Sequence, residues 1–270
     1  MPLDPIDARL SLRAAQARSA VDLLACSGDE RRALEPFGTV LASDLGVPSE
    51  WSVQLTLAGR AVLRGVTLPS ERVLAAAQAW AHERSAGRGY LLGLPEPVAD
   101  RFDPAACGLT HADELPVLAL GRADAAALEP PVPPAGLEVG PPHDLAELHE
   151  GYGGWMQDMP LAQALVCAGD LARPRRRFLV GRLRRGRERE VVGCAMVWYA
   201  GGTAYVSGVG VLPHLRGRGY GHALAVEAAR VGAAAPVDVV WMYATDAGAR
   251  LYRKIGFRPV GSLIRFRPVG

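Results

Sequence analysis

The sequence predicts a mixed α/β (α+β) fold with helices flanking a sheet, and three observations carry that prediction. Apolar residues recur at helical spacing in some segments and alternate with polar residues in others, as strands do. A proline-rich stretch at 128–144 divides the chain, because proline fixes φ and removes a backbone donor. A glycine- and arginine-rich stretch, LRGRGYG at 215–221, lies between a strand pattern and a helix pattern. We therefore predict two α/β domains, 1–129 and 130–270.

Composition restricts the class of protein. Hydrophobic residues make up 49% of the 270 residues, and charged residues make up 21% with a net charge of +2. These values favour folded domains and disfavour a nucleic-acid partner. Four cysteines without a C-x-x-C pair predict buried, reduced thiols and no metal site. Without a signal-peptide pattern or a membrane-length apolar run, we expect a soluble, cytoplasmic protein with no membrane partner.

The first domain alternates helices and strands. Ser70 is a suitable N-cap for a helix that Gly87 would end. Periodicity predicts helices at 7–26 and 70–87, a pair of strands within 51–69, and buried strands at 90–94 and 115–121.

The second domain has a similar alternation. The segment 175–200 alternates, turns and alternates again, which predicts a hairpin. The glycines in GYGGWMQDMP, residues 151–160, predict a mobile loop. The other predicted elements are strands at 136–140, 202–211, 236–245 and 258–268, and helices at 143–152, 222–236 and 246–255.

The glycine–arginine stretch predicts an anion site. Glycines at a helix N-terminus present N–H groups and the positive end of the helix dipole, which suits a phosphate. Arg216 and Arg218 add positive charge. A Walker A loop is excluded because His222 and Ala223 stand where lysine and serine or threonine belong, and the G-x-G-x-G spacing does not match the dinucleotide fingerprint.

The chain resembles the GNAT acetyltransferase superfamily over about residues 135–270. The pattern R-x-x-G-x-G, formed by Arg216, Gly219 and Gly221 after VGVLPHL, is similar to the coenzyme A pyrophosphate loop of that family. ATDAGARLYRKIGF, residues 244–257, resembles its second signature. The resemblance implies a GNAT-like mixed central sheet flanked by helices, with acetyl-CoA as the acetyl donor.

The resemblance also implies the coenzyme-binding residues. The pantetheine arm would pair with β-strand backbone, Gly208 would allow close approach, and loop amides would hold the pyrophosphate. Thr245 is either a polar neighbour of the coenzyme or a helix cap. The implied set is Val209, Gly210, Val211, Arg216, Gly217, Arg218, Gly219, Tyr220, Gly221, His222 and Thr245.

Acetyl transfer to an amine needs a proton for the departing thiolate and stabilisation of the oxyanion. By the resemblance, Tyr252 is the general acid, and N–H groups at or near Val209 are the oxyanion donors. Tyr205 stands where family members often carry a glutamate base. The base therefore stays open among water and three candidates: His149, Glu150 and Asp158.

Tyr152 and Trp155, within the predicted loop, are candidates for closing over the acceptor, although one of them could simply anchor an ordinary loop. The arginine-rich segment 173–189 is interpreted as a solvated hairpin. Residues 1–129 are interpreted as a degenerate copy of the same fold or as an unrelated α/β domain. No pyrophosphate cradle is expected there, because PSERVLAAA replaces the glycine loop.

These observations predict an N-acetyltransferase that transfers an acetyl group directly from acetyl-CoA to a primary amine of a small molecule or peptide. The alternatives are a protein N-acetyltransferase and a non-catalytic acyl-CoA-binding module. The protein is expected to be a monomer or a homodimer.

Overall fold

The computed structural model describes Ala14, Ser49, Val132 and residues 32–47, 52–57, 68–130, 134–185 and 188–269. The predicted helix at 7–26 lies outside these residues, apart from Ala14, as do Cys26 and the second predicted strand within 51–69.

Strands and helices alternate along the described chain. The strands are β1 Ala33–Phe37, β2 Val40–Asp44, β3 Val53–Leu57, β4 Leu91–Pro95, β5 Leu109–Gly121, β6 Leu137–Gly140, β7 Arg176–Arg185, β8 Glu188–Ala200, β9 Thr203–Val211, β10 Val239–Tyr243 and β11 Arg258–Pro268. The helices are α1 Glu71–Ser85, α2 Glu96–Ala99, α3 Arg122–Ala127, α4 Leu145–Met156, α5 Met159–Leu165, α6 Ala168–Leu171, α7 Tyr220–Ala233 and α8 Asp246–Ile255. None of the described helices is both long and apolar enough to cross a bilayer.

The chain divides into two units. Unit 1 comprises residues 1–118, 243–246 and 259–270, and unit 2 comprises 119–242 and 247–258. The predicted boundary near residue 130 stays a prediction. Both units are mixed α/β, as expected.

Unit 1 is built on strands in the order β1-β2-β3-β4-β11. These neighbours are antiparallel except β3 and β4, which are parallel. Helix α1 buries Leu74 and Ala77 in a core with Leu55 and Leu92. The predicted helix at 70–87 is confirmed, and the Ser70 side chain accepts a hydrogen bond from Val73 N (3.4 Å).

Unit 2 contains strands in the order β10-β9-β8-β7-β6. β9 and β10 are parallel, and the other neighbours are antiparallel. The predicted hairpin of β7 and β8 is confirmed, as are β9, α7, β10, α8 and β11. Helix α7 packs on one face of the sheet, where Gly181 lies against Leu224. Helix α4 packs on the other face, where Leu148 and Tyr152 contact Phe178 and Val180.

The predicted mobile loop at 151–160 is wrong, because α4 continues through residue 156. The side chain of Asp144 caps the helix, accepting from Glu147 N (2.8 Å). Its glycines serve packing: a Cβ on Gly151 would lie 3.3 Å from Cys194 Cβ, and one on Gly153 would lie 2.7 Å from Met159 Cε. Small residues at these positions therefore let the sheet and α5 approach the helix.

The described cysteines are free thiols, but only Cys194 is fully buried. Cys107 and Cys167 are partly exposed, so the expectation of buried thiols holds for one of the three.

Candidate active site

A bulge interrupts the last part of β9. Met196 of β8 pairs with Ser207, but Cys194, two residues away, pairs with Gly210, so three residues of β9 span two of β8. Gly208, inside the bulge, has φ +59°, a conformation that favours glycine. A bulge leaves its extra residue outside the regular ladder and is common beside active sites. The backbone near Val209 is therefore released from regular pairing with β8.

The opposite edge of β9 extends beyond its partner. The ladder between β9 and β10 runs from Thr203–Val239 to Tyr205–Trp241, whereas β9 continues to Val211. An extended, amide-containing group can pair with such an edge as an added strand does. The pantetheine-binding residues inferred from the sequence lie on this extension: Val209, Gly210 and Val211.

The glycine–arginine loop leads from β9 into α7. Gly219 is the N-cap of α7 with φ +85°, and it provides no capping side chain. The first helical hydrogen bond there runs from Ala223 N to Gly219 O (3.1 Å). The N–H groups of Tyr220, Gly221 and His222 therefore lie in a first turn that has no intrahelical acceptor for them.

The side chains of this loop divide into anchors and exposed groups. Leu215 and Tyr220 are buried in a cluster with Val211, so the Tyr220 ring holds the loop on the strand. The Arg216 side chain returns to the strand, where its Nε donates to Val211 O (3.1 Å). The exposed loop residues are Arg216, Gly217, Arg218 and Gly219, together with His222 in the first turn of α7.

The start of α7 also lies close to α8. A Cβ on Gly221 would lie 3.5 Å from Val211 Cγ2 and 3.8 Å from Leu251 Cδ2. The end of β9, the start of α7 and Leu251, the residue before Tyr252 on α8, therefore meet at Gly221. Thr245 is exposed and belongs to unit 1, and its place near the coenzyme stays a prediction.

Tyr252 is 7% exposed, with its ring edge-on to Phe257 at 6.1 Å between centroids. Burial raises the pKa of Tyr252 to about 12, and Tyr205 contributes to the rise. The phenol therefore keeps its proton at neutral pH, as a proton donor must.

Tyr205, at the position where the resemblance would place a glutamate, belongs to an aromatic pair. Tyr205 stacks on Trp241 with 4.4 Å between ring centroids, and Trp241 Nε1 donates to Thr203 Oγ1 (2.9 Å). This part of β9 therefore presents an aromatic surface in place of a carboxylate.

Tyr152 and Trp155 lie over the bulge, on α4. A Cβ on Gly208 would lie 2.7 Å from Tyr152 Oη, and one on Gly210 would lie 2.3 Å from Trp155 Cγ. Cys194 is buried in the same cluster as both side chains, and burial raises the pKa of its thiol. The two aromatic residues are thus brought to the predicted coenzyme strand, although by a helix and not by a loop. Cys194 was missed as a site residue, because an isolated thiol in an apolar strand carries no signal.

Two of the three candidate bases form structural hydrogen bonds, and the third has a shifted pKa. His149 Nε2 donates to Val166 O (2.8 Å), and Asp158 caps α5 by accepting from Leu161 N (2.9 Å). Burial and the nearby carboxylates of Glu147 and Glu190 raise the pKa of Glu150. The base therefore remains open.

Gly210→Ala is expected to lower the free energy of unfolding by about 1–3 kcal/mol, because the new methyl overlaps the Trp155 ring. Denaturant unfolding measures the change. In a Trp155→Ala background the same substitution should cost much less. Gly169→Ala is the matched control, since a Cβ there meets no atom within 4 Å. An equal cost in both backgrounds would contradict the contact.

Comparisons with known proteins identify this arrangement. Residues 174–259 match the family model described as "Acetyltransferase (GNAT) domain". No curated protein matches the sequence.

The fold recurs in solved structures. A GCN5-related N-acetyltransferase from Kribbella flavida is 19% identical, with a TM-score of 0.64 and 96% of each chain covered. One from Sphaerobacter thermophilus is 19% identical, with a TM-score of 0.59, covering 98% of this chain and 93% of its own. A tandem GNAT protein from the clavulanic acid biosynthesis pathway is 15% identical, with a TM-score of 0.61, and the match covers 99% of this chain and 96% of that protein. Residues 174–259 therefore match the GNAT acetyltransferase domain, and the chain has the fold of the GCN5-related N-acetyltransferases.

Proposed function

We propose that this protein transfers an acetyl group from acetyl-CoA to the primary amine of a small molecule or peptide. The amine nitrogen attacks the thioester carbonyl, the C–N bond forms, and the C–S bond breaks as the thiolate leaves. Tyr252 donates a proton to the sulfur, and the N–H groups at the β9 bulge stabilise the oxyanion. The amine must lose its own proton before attack.

The observation that carries this proposal is the meeting of three features at Gly221. The open edge of β9, the first turn of α7 and the α8 segment bearing Tyr252 lie together there. The edge fits an amide-containing arm, and the glycine-capped turn fits a pyrophosphate. Leu251, which reaches the same point, directly precedes the proposed proton donor Tyr252. Acetyl-CoA carries its thioester at one end of the pantetheine arm and its pyrophosphate at the other, so these residues fit it.

The N-terminal caps of α1 and α7 differ, and the difference supports a coenzyme site in unit 2. In unit 1 the Ser70 side chain accepts a hydrogen bond from the N–H of Val73, in the first turn of α1. In unit 2 Gly219 leaves the first turn of α7 without a capping side chain. Together with the tandem GNAT protein among the similar structures, this contrast favours unit 1 as a degenerate repeat of the same fold. We propose a cytoplasmic location and a monomer or homodimer.

Acetyl-CoA binding, measured by calorimetry, tests the proposal. We expect a micromolar Kd that weakens at least tenfold in Gly219→Glu, where a carboxylate and a strained φ both oppose the phosphates. Arg216→Ala should also weaken binding, because it removes a positive charge from the loop. Arg230→Ala, at the other end of α7 and paired with Glu227 (2.8 Å), is the control and should bind normally.

Failure of the intact protein to bind acetyl-CoA would refute the proposal. Binding without acetyl transfer to any amine would favour the acyl-CoA-binding module, a reading that the absence of a carboxylate at Tyr205 supports. Transfer to protein N-termini but not to small amines would favour the protein N-acetyltransferase.

A further inference from the structure

Arg176 directs two donors at a thioether. Its Nε and Nη2 lie 3.2 and 3.0 Å from Met196 Sδ. The planar edge that carries these two N–H groups matches the two oxygens of a carboxylate, whereas a thioether sulfur is a single weak acceptor. We infer that the acceptor amine carries a carboxylate, which displaces Met196 Sδ and binds this edge of Arg176. The inference rests on the proposed acetyl transfer and specifies its acceptor class.

The guanidinium is held rigidly. Its Cζ lies 4.4 Å from the centroid of the Phe178 ring and 4.2 Å from that of Trp198. Nη1 pairs with Asp170 (2.8 Å), and the Arg176 side chain is 3% exposed. These contacts fix the plane of the guanidinium, so a carboxylate would meet a preorganised pair of donors.

The surrounding charge favours an anion. Asp170 is fully buried and pairs with both Arg173 (2.9 Å) and Arg176, so the three side chains together carry one positive charge. The effect extends to the bulge: burial raises the pKa of Tyr152, and the Arg176 cation opposes that rise. Since Tyr152 Oη lies against Gly208, the positive potential reaches the strand on which transfer is proposed.

Strand register places Arg176 near that strand. Arg176 pairs with Trp198, and Met196 pairs with Ser207, the residue before the bulge. Paired residues point to the same face, and neighbouring strands lie about 5 Å apart. Because β8 lies between β7 and β9, an amine at the bulge and a carboxylate at Arg176 would thus be separated by about two strand spacings, or about 10 Å. That separation favours amino acids in which several bonds separate the two groups.

Met196 can give way to a ligand. It is half-buried at the edge of the α4 cluster, and methionine has three rotatable bonds and no branch. Its sulfur therefore serves as a replaceable neighbour for the guanidinium.

Matched acceptors test the inference. Glycine, β-alanine, 4-aminobutyrate and 6-aminohexanoate, in which the amine and the carboxylate are increasingly far apart, are each assayed beside their primary amides, with acetyl-CoA and thiol release as the readout. We expect kcat/KM for the best acid to exceed that of its amide at least tenfold, mainly through KM. The ratio should fall to near one in Arg176→Gln and persist in Arg177→Gln, the exposed neighbour on the same strand.

A second variant and two controls complete the test. Met196→Ala should lower KM for the acids and leave the amides unchanged. Thermal unfolding and acetyl-CoA calorimetry report whether Arg176→Gln is folded. Amides or carboxylate-free amines accepted as well as the acids would overturn the inference while acetyl transfer stands. An acid preference that survives in Arg176→Gln would overturn it too, and loss of acetyl-CoA binding by the intact protein would overturn both.

Discussion

Tyr252→Phe is expected to lower kcat for acetyl transfer by about 100- to 1000-fold, because a positioned general acid contributes on that order. The substitution removes the proton donor and keeps the ring that packs against Phe257. The affinity for acetyl-CoA should stay within about twofold. Initial rates and calorimetry on the same preparations measure both quantities.

The matched control is Tyr199→Phe, in which the lost phenol oxygen donates to Val231 O (2.6 Å) on α7. This variant should lose some stability and keep its kcat. Unchanged turnover in Tyr252→Phe, with coenzyme binding retained, would show that Tyr252 only packs.

The pH dependence of kcat/KM distinguishes ionisation of Tyr252 from deprotonation of the acceptor amine. With a pKa of about 12, Tyr252 stays protonated across the ordinary assay range. The rise of kcat/KM with pH should therefore report deprotonation of the acceptor ammonium and should persist in Tyr252→Phe. A falling limb below about pH 10 that disappears in the variant would mean that Tyr252 ionises earlier when substrates are bound.

The elements that could be predicted from the sequence are those whose structure is determined by nearby residues. The loop, the helix that follows it and the hairpin were all predictable, because glycines, periodicity and alternation mark them directly. The helix through residues 151–156 was not, because its glycines also suit a loop. Glycine is needed at these positions because the helix packs closely against Cys194 and Met159, and such contacts are visible only in the tertiary structure. The β1–β2 hairpin was missed as well.

The arginine-rich segment 173–189 also could not be fully interpreted from the sequence. It was interpreted as a solvated hairpin, yet Arg176 and Arg182 are buried while Arg177 and Arg184 are exposed. Arg176 and Arg182 share the face of β7 that carries Phe178 and Val180, and this period-two alternation was a readable signal. Glu147, the partner of Arg182, could not be read from the sequence, because it lies 35 residues away.

Glu147→Ala is expected to lower the free energy of unfolding by about 3–5 kcal/mol, the usual cost of leaving a buried charge without its partner. Arg182 has a side chain that is 1% exposed, and its Nε and Nη2 donate to Glu147 Oε1 (2.5 Å) and Oε2 (2.6 Å). The pair joins α4 to β7, so its loss should also loosen Tyr152 and Trp155 over the bulge. Glu138→Ala is the control, because its pair with Arg184 is exposed and is worth less than about 1 kcal/mol.

Acid unfolding provides an independent measurement of the same pair. Burial alone would raise the pKa of Glu147, but hydrogen bonds from Arg182 and His143 outweigh it and lower the pKa from 4.5 to about 2. Between these values the unfolded chain binds more protons than the folded one, so stability falls as pH drops from 4.5 towards 2. Glu147→Gln cannot titrate, so its stability should depend less steeply on pH in this window. An unchanged slope would mean that other carboxylates govern acid unfolding and that the pair with Arg182 adds little.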